Sequence, residues 1–179
     1  MIKILIIGKK SFLGSNLTRY LSKYFRVNNY SFEEVFKKDN IFFREYTHII
    51  NTCIHKNYIY KKYKKKFDLD IRFVEKFNKI DFKYIFLNTR KIYFQKENIT
   101  ERSKISPIDI YAHNKYHTET LLKKKLKHSL ISLRISNIIG KKICKNSRNN
   151  HKLFFDNYLF YKKQNLKLTI SDNFKDFIS

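Results

Sequence analysis

The stretch MIKILIIGKKSFLGSNL at residues 1–17 decides the fold. Its apolar run, residues 2–7, has the length and composition of a strand buried on both faces. Gly8 ends that run, and from Phe12 onward apolar residues recur at helical spacing, with Gly14 in the first helical turn. This order is typical of a phosphate-binding turn, and equally of a plain buried strand that ends in glycine.

Glycine is scarce in this chain, which has three among its 179 residues. Two of them are Gly8 and Gly14, so each is expected to occupy a backbone position that other residues cannot take. A dinucleotide-binding turn needs a tight bend, close backbone approach to the pyrophosphate and close helix–strand packing. Gly8 can provide the tight bend, and Gly14 can provide the close helix–strand packing. Ser11 occupies the position of close backbone approach, where its hydroxyl could donate to a phosphate. The N-terminus of the helix would also attract an anion.

Length and composition indicate one soluble domain with a full hydrophobic core, since the chain is 42% hydrophobic and 17% aromatic. No run approaches the roughly 18 apolar residues that span a bilayer, and the N-terminal run is too short for a signal-peptide core. We therefore expect a cytoplasmic protein with no membrane partner. The two cysteines have no metal-type spacing, so neither a metal site nor a disulfide framework is expected.

The formal net charge of +24 favours anionic partners such as nucleic acid, anionic lipid or phosphorylated small molecules. Lys, Asn, Ile, Phe and Tyr dominate along the whole chain, however, as a genome-wide compositional bias would produce. A selected basic surface and compositional drift both remain open at this point. No recognised nucleic-acid motif accompanies the charge, and no nucleic-acid partner is expected.

Short apolar runs alternate with amphipathic stretches, which predicts crossover units and a parallel sheet. The fold class is therefore α/β, a Rossmann-like doubly wound sheet with helices on both faces. Ligands of such sheets bind beyond the carboxyl ends of the strands. After the first strand and helix, strands are predicted at 47–51, 83–88 and 129–135, and helices at 67–79 and 111–127. Gly8, Asn51, Thr89 and Asn137 lie at or just past predicted strand ends.

The segment YAHNK places Tyr111 and Lys115 one helical turn apart on the same face. An ammonium group beside a phenol favours the ionised phenol, which makes a tyrosine usable as an acid or base near neutral pH. Context singles out this pair, because Tyr111 follows a buried strand that ends in a hydroxyl residue, Thr89, and comes shortly after the single proline, Pro107. The same spacing occurs at Tyr58–Lys62, Tyr60–Lys64 and Tyr158–Lys162.

An ordered set of segments now resembles the extended short-chain dehydrogenase/reductase family, the NAD(P)-dependent nucleotide-sugar epimerases, dehydratases and reductases. ILIIGKKSFLGSNL is similar to the family's opening strand, glycine turn and helix, and IFLNTRKIYF to its strand with the catalytic hydroxyl residue. ITERSKISPIDIYAHNKYHTETLL resembles the Tyr-x-x-x-Lys segment, LRISNIIG the strand toward the substrate, and FKDFIS a motif near the later substrate elements. These segments are residues 4–17, 85–94, 99–122, 133–140 and 174–179.

The resemblance implies a site for NAD or NADP and for a nucleotide-diphosphate sugar. Tyr111 would exchange a proton with a sugar hydroxyl or ketone, Lys115 would hold the nicotinamide ribose, and Thr89 would hydrogen-bond the reacting oxygen. Asn137 would contact the substrate. The implied cofactor-binding residues are Gly8, Ser11, Phe12, Leu13, Gly14, Asn51 and Lys115. The resemblance also implies a homodimer that pairs through the helix carrying Tyr111 and Lys115.

The region after the second strand departs from the family pattern, because no acidic residue follows that strand directly. Asn29 or Ser31 could bind a 2′-hydroxyl, whereas Arg26 and Lys10 would favour a 2′-phosphate, and the balance leans to NADP. The segment before 47–51 is short for the family, which predicts a reduced strand–helix unit there.

Two domains follow from the resemblance: an NAD(P)-binding Rossmann domain at 1–140 and the start of a truncated substrate-binding region at 141–179. Family members continue well past the equivalent of Ser179, so we expect an enzyme that is weak or inactive for want of that lobe. The alternative is a non-catalytic dinucleotide-binding or scaffold subunit of the same ancestry. A third reading, an anion-binding protein that uses the net charge, has no motif behind it.

Overall fold

The structure is a computed structural model that describes residues 1–77, 79–94, 98–138, 164 and 177–178. Its main sheet has five parallel strands in the order β2-β1-β3-β4-β5. The strands are β1 (Lys3–Ile7), β2 (Arg26–Tyr30), β3 (His48–Asn51), β4 (Lys83–Thr89) and β5 (Leu130–Ile135). The helices are α1 (Phe12–Leu21), α2 (Phe32–Phe36), α3 (Asn40–Phe43), α4 (Lys56–Tyr60), α5 (Leu69–Val74) and α6 (Ile110–Leu126). Single 3₁₀ turns lie at Lys65–Phe67, Arg90–Ile92 and Lys127–Ser129.

The strand order confirms the predicted doubly wound α/β fold. From β1 the chain moves outward to β2 on one side, and then returns to β3, β4 and β5 on the other side. The order therefore reverses between β1 and β3, and in open parallel sheets the crevice beyond the carboxyl ends at such a reversal is where ligands bind.

Each face of the sheet carries its own core because successive strand residues point to opposite faces. On one face Ile4, Ile6 and Ile50 pack against Leu17 and Leu21 of α1. On the other face a larger and mainly aromatic core joins β1, β3 and β4 to α2, α3, α5 and α6. Helices thus cover both faces, as expected for this fold class.

The predicted helix at 67–79 is shorter than its periodicity suggested, because α5 ends at Val74. The next N–H groups, those of Lys76 and Phe77, donate to carbonyls three residues back, which tightens the chain out of the α-helix. Phe77 still packs in the aromatic core beside Phe73 and Phe82. The helical spacing of apolar residues therefore reflected burial beyond the point where the helix stops.

The segment between β2 and β3 agrees with the reduced unit predicted there, since residues 31–47 contain the short helices α2 and α3 and no strand. Ser31 begins α2 with a capping box, in which its hydroxyl accepts from the Glu34 N–H and the Glu34 carboxylate accepts from the Ser31 N–H.

Most of the predicted second domain, 141–179, lies outside the described residues, as do Gly140, Cys144 and the Tyr158–Lys162 pair. Two further strands are described, β6 (Asn137–Ile138) and β7 (Phe177–Ile178), which pair in parallel as a separate small sheet. The division into domains stays a prediction. In the described part of the chain, no helix is long and apolar enough to cross a membrane.

Replacing Gly14 by alanine is expected to destabilise the protein. A Cβ at this position would lie 2.3 Å from the carbonyl oxygen of Gly8 and 2.7 Å from Oγ1 of Thr52. The Gly8 backbone can move away from this Cβ only at a cost in free energy. Overpacking should therefore outweigh alanine's higher helix propensity and lower the free energy of unfolding by about 1–3 kcal/mol. Urea denaturation measures this change, with Ser15→Ala on the same helix as the control. A Gly14→Ala protein as stable as the wild type would contradict the close packing of α1.

Candidate active site

The turn after β1 requires glycine for two reasons. Gly8 has a φ of +143°, a conformation that L side chains rarely adopt, and its N–H donates to the Tyr30 carbonyl at 2.7 Å. A Cβ on Gly8 would also lie 1.9 Å from Oγ1 of Thr52. The turn therefore brings the ends of β1, β2 and β3 together and lets α1 start directly above them.

Ser11 has a structural role in this turn. Its Oγ accepts from the Gly14 N–H at 2.8 Å and lies 2.6 Å from Oγ1 of Thr52. The Thr52 hydroxyl donates its proton to the Ile7 carbonyl at 2.9 Å. A hydroxyl has a single proton, so in the contact between the two side chains the Ser11 hydroxyl donates and the Thr52 oxygen accepts. In the structure Ser11 therefore caps α1 and ties it to the end of β3, and its contact with a phosphate stays a prediction.

The N–H groups of Phe12 and Leu13 are the polar groups of this turn best suited to an anion. They lie in the first turn of the ten-residue helix α1, where the helix itself provides no carbonyl acceptors. Exposed Lys9 and Lys10 precede them. Backbone donors at a helix N-terminus, with positive charge beside them, are a favourable setting for a phosphate.

Thr89 and Tyr111 come to the same end of the sheet. Thr89 is the last residue of β4, and its Oγ1 accepts from the Lys91 N–H at 3.3 Å, which leaves the hydroxyl proton for another acceptor. The Lys91 ammonium pairs with Asp109 at 2.9 Å, and Asp109 caps α6 by accepting from the Ala112 N–H. These contacts hold the first turn of α6, with Tyr111, beside the segment that follows Thr89.

Lys115 places an ammonium group one turn further along α6, on a largely buried side chain. The residue is 6% exposed, and its Nζ lies 4.5 Å from the centre of the Phe86 ring and 3.9 Å from Oδ2 of Asp70. This ion pair is longer than a hydrogen bond, and an ammonium has three N–H donors. Among the described residues these donors have no hydrogen-bond acceptor, so they are available to a ligand oxygen.

Asp70 is fixed beside Lys115 by side chains from two strands. Its Oδ1 accepts from the Tyr84 hydroxyl at 2.8 Å and from Nδ2 of Asn51 at 3.0 Å. The Asn51 Oδ1 in turn accepts from the Cys53 N–H at 2.9 Å, and the residue is 4% exposed. The Asn51 side chain is thus directed inward to Asp70, and its role as a cofactor ligand stays a prediction.

The pair Tyr58–Lys62 lacks a usable phenol. Oδ2 of Asp68 accepts from the Thr118 hydroxyl at 2.6 Å, so the 2.6 Å contact between Thr118 and Tyr58 uses the Tyr58 proton. Burial raises the pKa of Tyr58 far above its ordinary value. Burial, and then the nearby Asp70, also raise the pKa of Asp68. In the remaining described pair, Tyr60 is the last residue of the short helix α4 and is 56% exposed.

Helix α6 is also anchored to β5 by a buried ion pair. The Arg134 guanidinium donates to both oxygens of Glu119 at 3.1 Å, and the Ser132 hydroxyl donates to Oε1 at 2.7 Å. Arg134 also hydrogen-bonds the hydroxyl of Tyr93. The helix that carries Tyr111 and Lys115 is thus held at its middle as well as at its start. Asn137 lies in β6, and its substrate role stays a prediction.

The carboxyl end of β2 carries both acidic and basic side chains, since Lys9 and Lys10 lie close enough to Glu34 for their charges to act on its carboxyl. Arg26 begins β2 opposite Lys3, at the amino edge of the sheet and four residues before Tyr30. At about 3.3 Å per residue it lies roughly 13 Å from the carboxyl edge, so its expected contact with a 2′-phosphate is wrong. At the correct edge stands Glu34. Hydrogen bonds from Ser31, and then the charges of Lys9 and Lys10, lower the pKa of its carboxyl.

Several solved structures share this fold. No protein-family model matches the sequence, and no curated protein is significantly similar to it. The structure of dTDP-glucose 4,6-dehydratase from Bacillus anthracis str. Ames in complex with NAD is similar, with a TM-score of 0.74 at 17% identity over 99% of this chain and 67% of that one. UDP-glucuronic acid 4-epimerase from Bacillus cereus, with UDP-glucuronic acid and NAD, gives 0.73 at 18% identity over 98% and 68%.

A third similar structure is a dTDP-4-dehydrorhamnose reductase from Clostridium acetobutylicum ATCC 824, with a TM-score of 0.64 at 19% identity over 91% of this chain. The fold is that of the nucleotide-sugar epimerases, dehydratases and reductases. This confirms the fold expected from the resemblance. The chain spans 60% of the length of the reductase and 67–68% of the other two.

Three residues near the site went unnoticed in the sequence, namely Thr52, Asp70 and Asn88. Thr52 directly follows the strand 48–51, and a hydroxyl residue just past a strand end could have been assigned to the site from the sequence. Asp70 lies two residues after another acid, Asp68, at the start of a helix, where acids are ordinary caps. Only the folded arrangement shows that Asp70 faces Lys115 rather than solvent.

The Glu119–Arg134 pair predicts a specific loss of stability in acid. Burial alone would raise the pKa of Glu119, but hydrogen bonds from Ser132 and Arg134 and the Arg134 charge lower it below its ordinary value of 4.5. A lowered folded-state pKa stabilises the protein above the ordinary value, and that contribution is lost as the pH falls through the folded-state value. Glu119→Gln should therefore reduce the free energy of unfolding at pH 7 by about 2–4 kcal/mol, because it leaves Arg134 unpaired.

Urea denaturation between pH 3 and pH 7 measures both parts of this expectation. The stability of Glu119→Gln should fall less steeply below pH 4.5 than that of the wild type. Glu75→Gln is the control, since the pair of Glu75 with Lys65 is exposed. Parallel pH profiles for wild type and Glu119→Gln would rule out this source of acid sensitivity.

Proposed function

We propose that this chain binds NAD and provides the hydride-transfer site of a nucleotide-sugar epimerase, dehydratase or reductase. The observation that carries the proposal is the Lys115 ammonium, which lies on a largely buried side chain one helical turn from Tyr111 and makes no hydrogen bond to the described residues beyond its 3.9 Å ion pair with Asp70. The solved structures with NAD bound, which share this fold, support the choice of ligand.

The residues present fit a dinucleotide at two places. The N–H groups of Phe12 and Leu13 would hold the pyrophosphate, above a turn in which Gly8 and Gly14 leave no side chain between helix and strand. The Lys115 ammonium would donate to the hydroxyls of the nicotinamide ribose. When bound, the nicotinamide supplies the hydride chemistry, and the protein supplies orientation and proton transfer.

Tyr111 and Thr89 would handle the proton at the sugar. The phenol of Tyr111 exchanges a proton with a sugar hydroxyl or ketone, one helical turn from the Lys115 ammonium. The free proton of the Thr89 hydroxyl donates to the same sugar oxygen and holds it in place. Asp70 keeps the Lys115 side chain beside the site through the fixed carboxylate described above.

The proposed substrate is a nucleotide-diphosphate sugar, and the net charge of +24 would attract its two phosphates. Asn137 is the proposed substrate contact. Pairing of two copies through α6 belongs to the same proposal, because the helix exposes Ile110 and Tyr116, 44% and 37% respectively, on its outer side. Cytoplasmic localisation also stays a prediction.

NADH fluorescence and turnover test this function in sequence. The wild type should enhance NADH fluorescence saturably and turn over at least one member of a nucleotide-sugar panel. Tyr111→Phe should keep cofactor binding and lose about 10²–10⁴-fold in kcat, the usual contribution of a general acid–base group. Tyr116→Phe on the same helix is the matched control. Turnover that survives Tyr111→Phe would overturn the catalytic assignment, and absence of NADH binding would favour a scaffold role.

Cofactor choice should favour NAD over NADP. Lys9 and Lys10 near Glu34 would attract the phosphates of either dinucleotide, whereas the Glu34 carboxylate would accept from a 2′-hydroxyl and repel a 2′-phosphate. We therefore expect NADH to bind about tenfold more tightly than NADPH, or about 1.4 kcal/mol. Glu34→Gln keeps the capping box while removing the charge, and should reduce the ratio of NADH affinity to NADPH affinity. Fluorescence titrations of each variant with both dinucleotides measure this ratio. The control is Glu33→Gln, in which the neighbouring carboxylate is neutralised. Equal affinities for both dinucleotides in the wild type would contradict the expectation.

A further inference from the structure

Asn88 holds a buried hydrogen-bond donor that nothing in the described protein uses. The residue is 1% exposed, and its Nδ2 has no hydrogen-bond partner within the ranges that the structure describes. Its Oδ1 accepts from the Thr89 N–H at 2.8 Å. Turning the amide over would set two donors against each other, so this contact also fixes the direction of the nitrogen. Buried polar groups are nearly always satisfied, so an unpaired one points to a ligand.

The position of Asn88 follows from the alternation of β4. Tyr84, Phe86 and Asn88 share one face of the strand, which is the face covered by α5 and α6. The Tyr84 hydroxyl reaches Asp70, and the Phe86 ring lies under the Lys115 ammonium. Asn88 is the next residue on that face, about 6.6 Å further toward the carboxyl edge.

Helix α6 runs antiparallel to β4, as two contacts show. Lys115 lies over Phe86, whereas Asp109, earlier in the helix, pairs with Lys91 beyond the end of the strand. One helical turn back from Lys115 is Tyr111, and a turn rises about 5.4 Å, close to the spacing between alternate strand residues. By these two spacings Asn88 lies about level with Tyr111, one helical turn from Lys115.

We propose that Nδ2 of Asn88 donates a hydrogen bond to the nicotinamide-riboside half of NAD. This inference rests on the proposed function and adds a binding residue to it. The nicotinamide-riboside half is the favoured partner because Asn88 lies on the same inner face as the ammonium proposed to hold the ribose. The acceptor is an oxygen of either the ribose hydroxyls or the carboxamide.

Titration with three ligands tests the proposal: NADH, ADP-ribose and ADP. Asn88→Asp keeps the oxygen that accepts from Thr89 and removes the donor, so NADH affinity should fall about tenfold. Affinity for ADP, which lacks the nicotinamide riboside, should stay within about twofold. Loss for ADP-ribose as well as NADH would identify the ribose, and loss for NADH alone the carboxamide.

Asn28→Asp is the matched control, because it makes the same change in the same sheet and keeps the oxygen that accepts from the Tyr46 hydroxyl. Its affinities should equal those of the wild type. Wild-type NADH affinity in Asn88→Asp, or an equal loss for ADP, would overturn the assignment. Failure of the wild type to bind NADH would overturn the proposed function and this inference together.

A measurement on the unmodified protein covers the case in which Asn88→Asp does not fold. The side-chain amide protons of Asn88, followed by nuclear magnetic resonance, should exchange with solvent more slowly once NAD is bound. ADP should leave that exchange unchanged. Equal protection by the two ligands would show that the effect does not come from the nicotinamide-riboside half, and the proposal would then be wrong.

Discussion

The close approach of helix α1 to the turn after β1 is the constraint on which the site depends. The Gly14 backbone packs against the Gly8 carbonyl and the Thr52 hydroxyl so closely that a Cβ at Gly14 would lie 2.3 Å from the Gly8 oxygen. Ser11 and Thr52 lock this contact with a short hydroxyl pair, and so join α1 to the ends of β1 and β3. The first N–H groups of α1 are thereby held at the reversal of strand order.

Electrostatics govern the other half of the site. Lys115 and Asp70 are both nearly excluded from solvent, and their 3.9 Å separation gives attraction without a hydrogen bond. Tyr84 and Asn51 satisfy the carboxylate, whereas the ammonium keeps its donors. The Asp70 carboxylate therefore holds the ammonium in place while its N–H donors remain available. Asn88 repeats this arrangement with a neutral donor on the same face of β4.

Particular residues show how far the sequence could lead. The strands, the glycine turn and the Tyr111–Lys115 spacing all follow local rules of periodicity and backbone freedom, and the fold agrees with them. Ser11 and Asn51 were correctly placed at strand and helix ends, but their side chains turn inward to Thr52 and Asp70. Arg26 was assigned to the wrong edge, because a residue's distance along a strand matters as much as its neighbourhood in the chain.

The sequence by itself determined the fold class, the turn and the order of the candidate groups along the chain, since apolar periodicity and scarce glycines act locally. Tertiary structure alone decided which polar side chains already have hydrogen-bond partners within the protein. Ser11, Asn51 and Tyr58 find partners 41, 19 and 60 residues away, while Lys115 and Asn88 keep unused donors. Hydrogen bonding is satisfied pair by pair in space, so a donor's availability depends on contacts that no local pattern specifies.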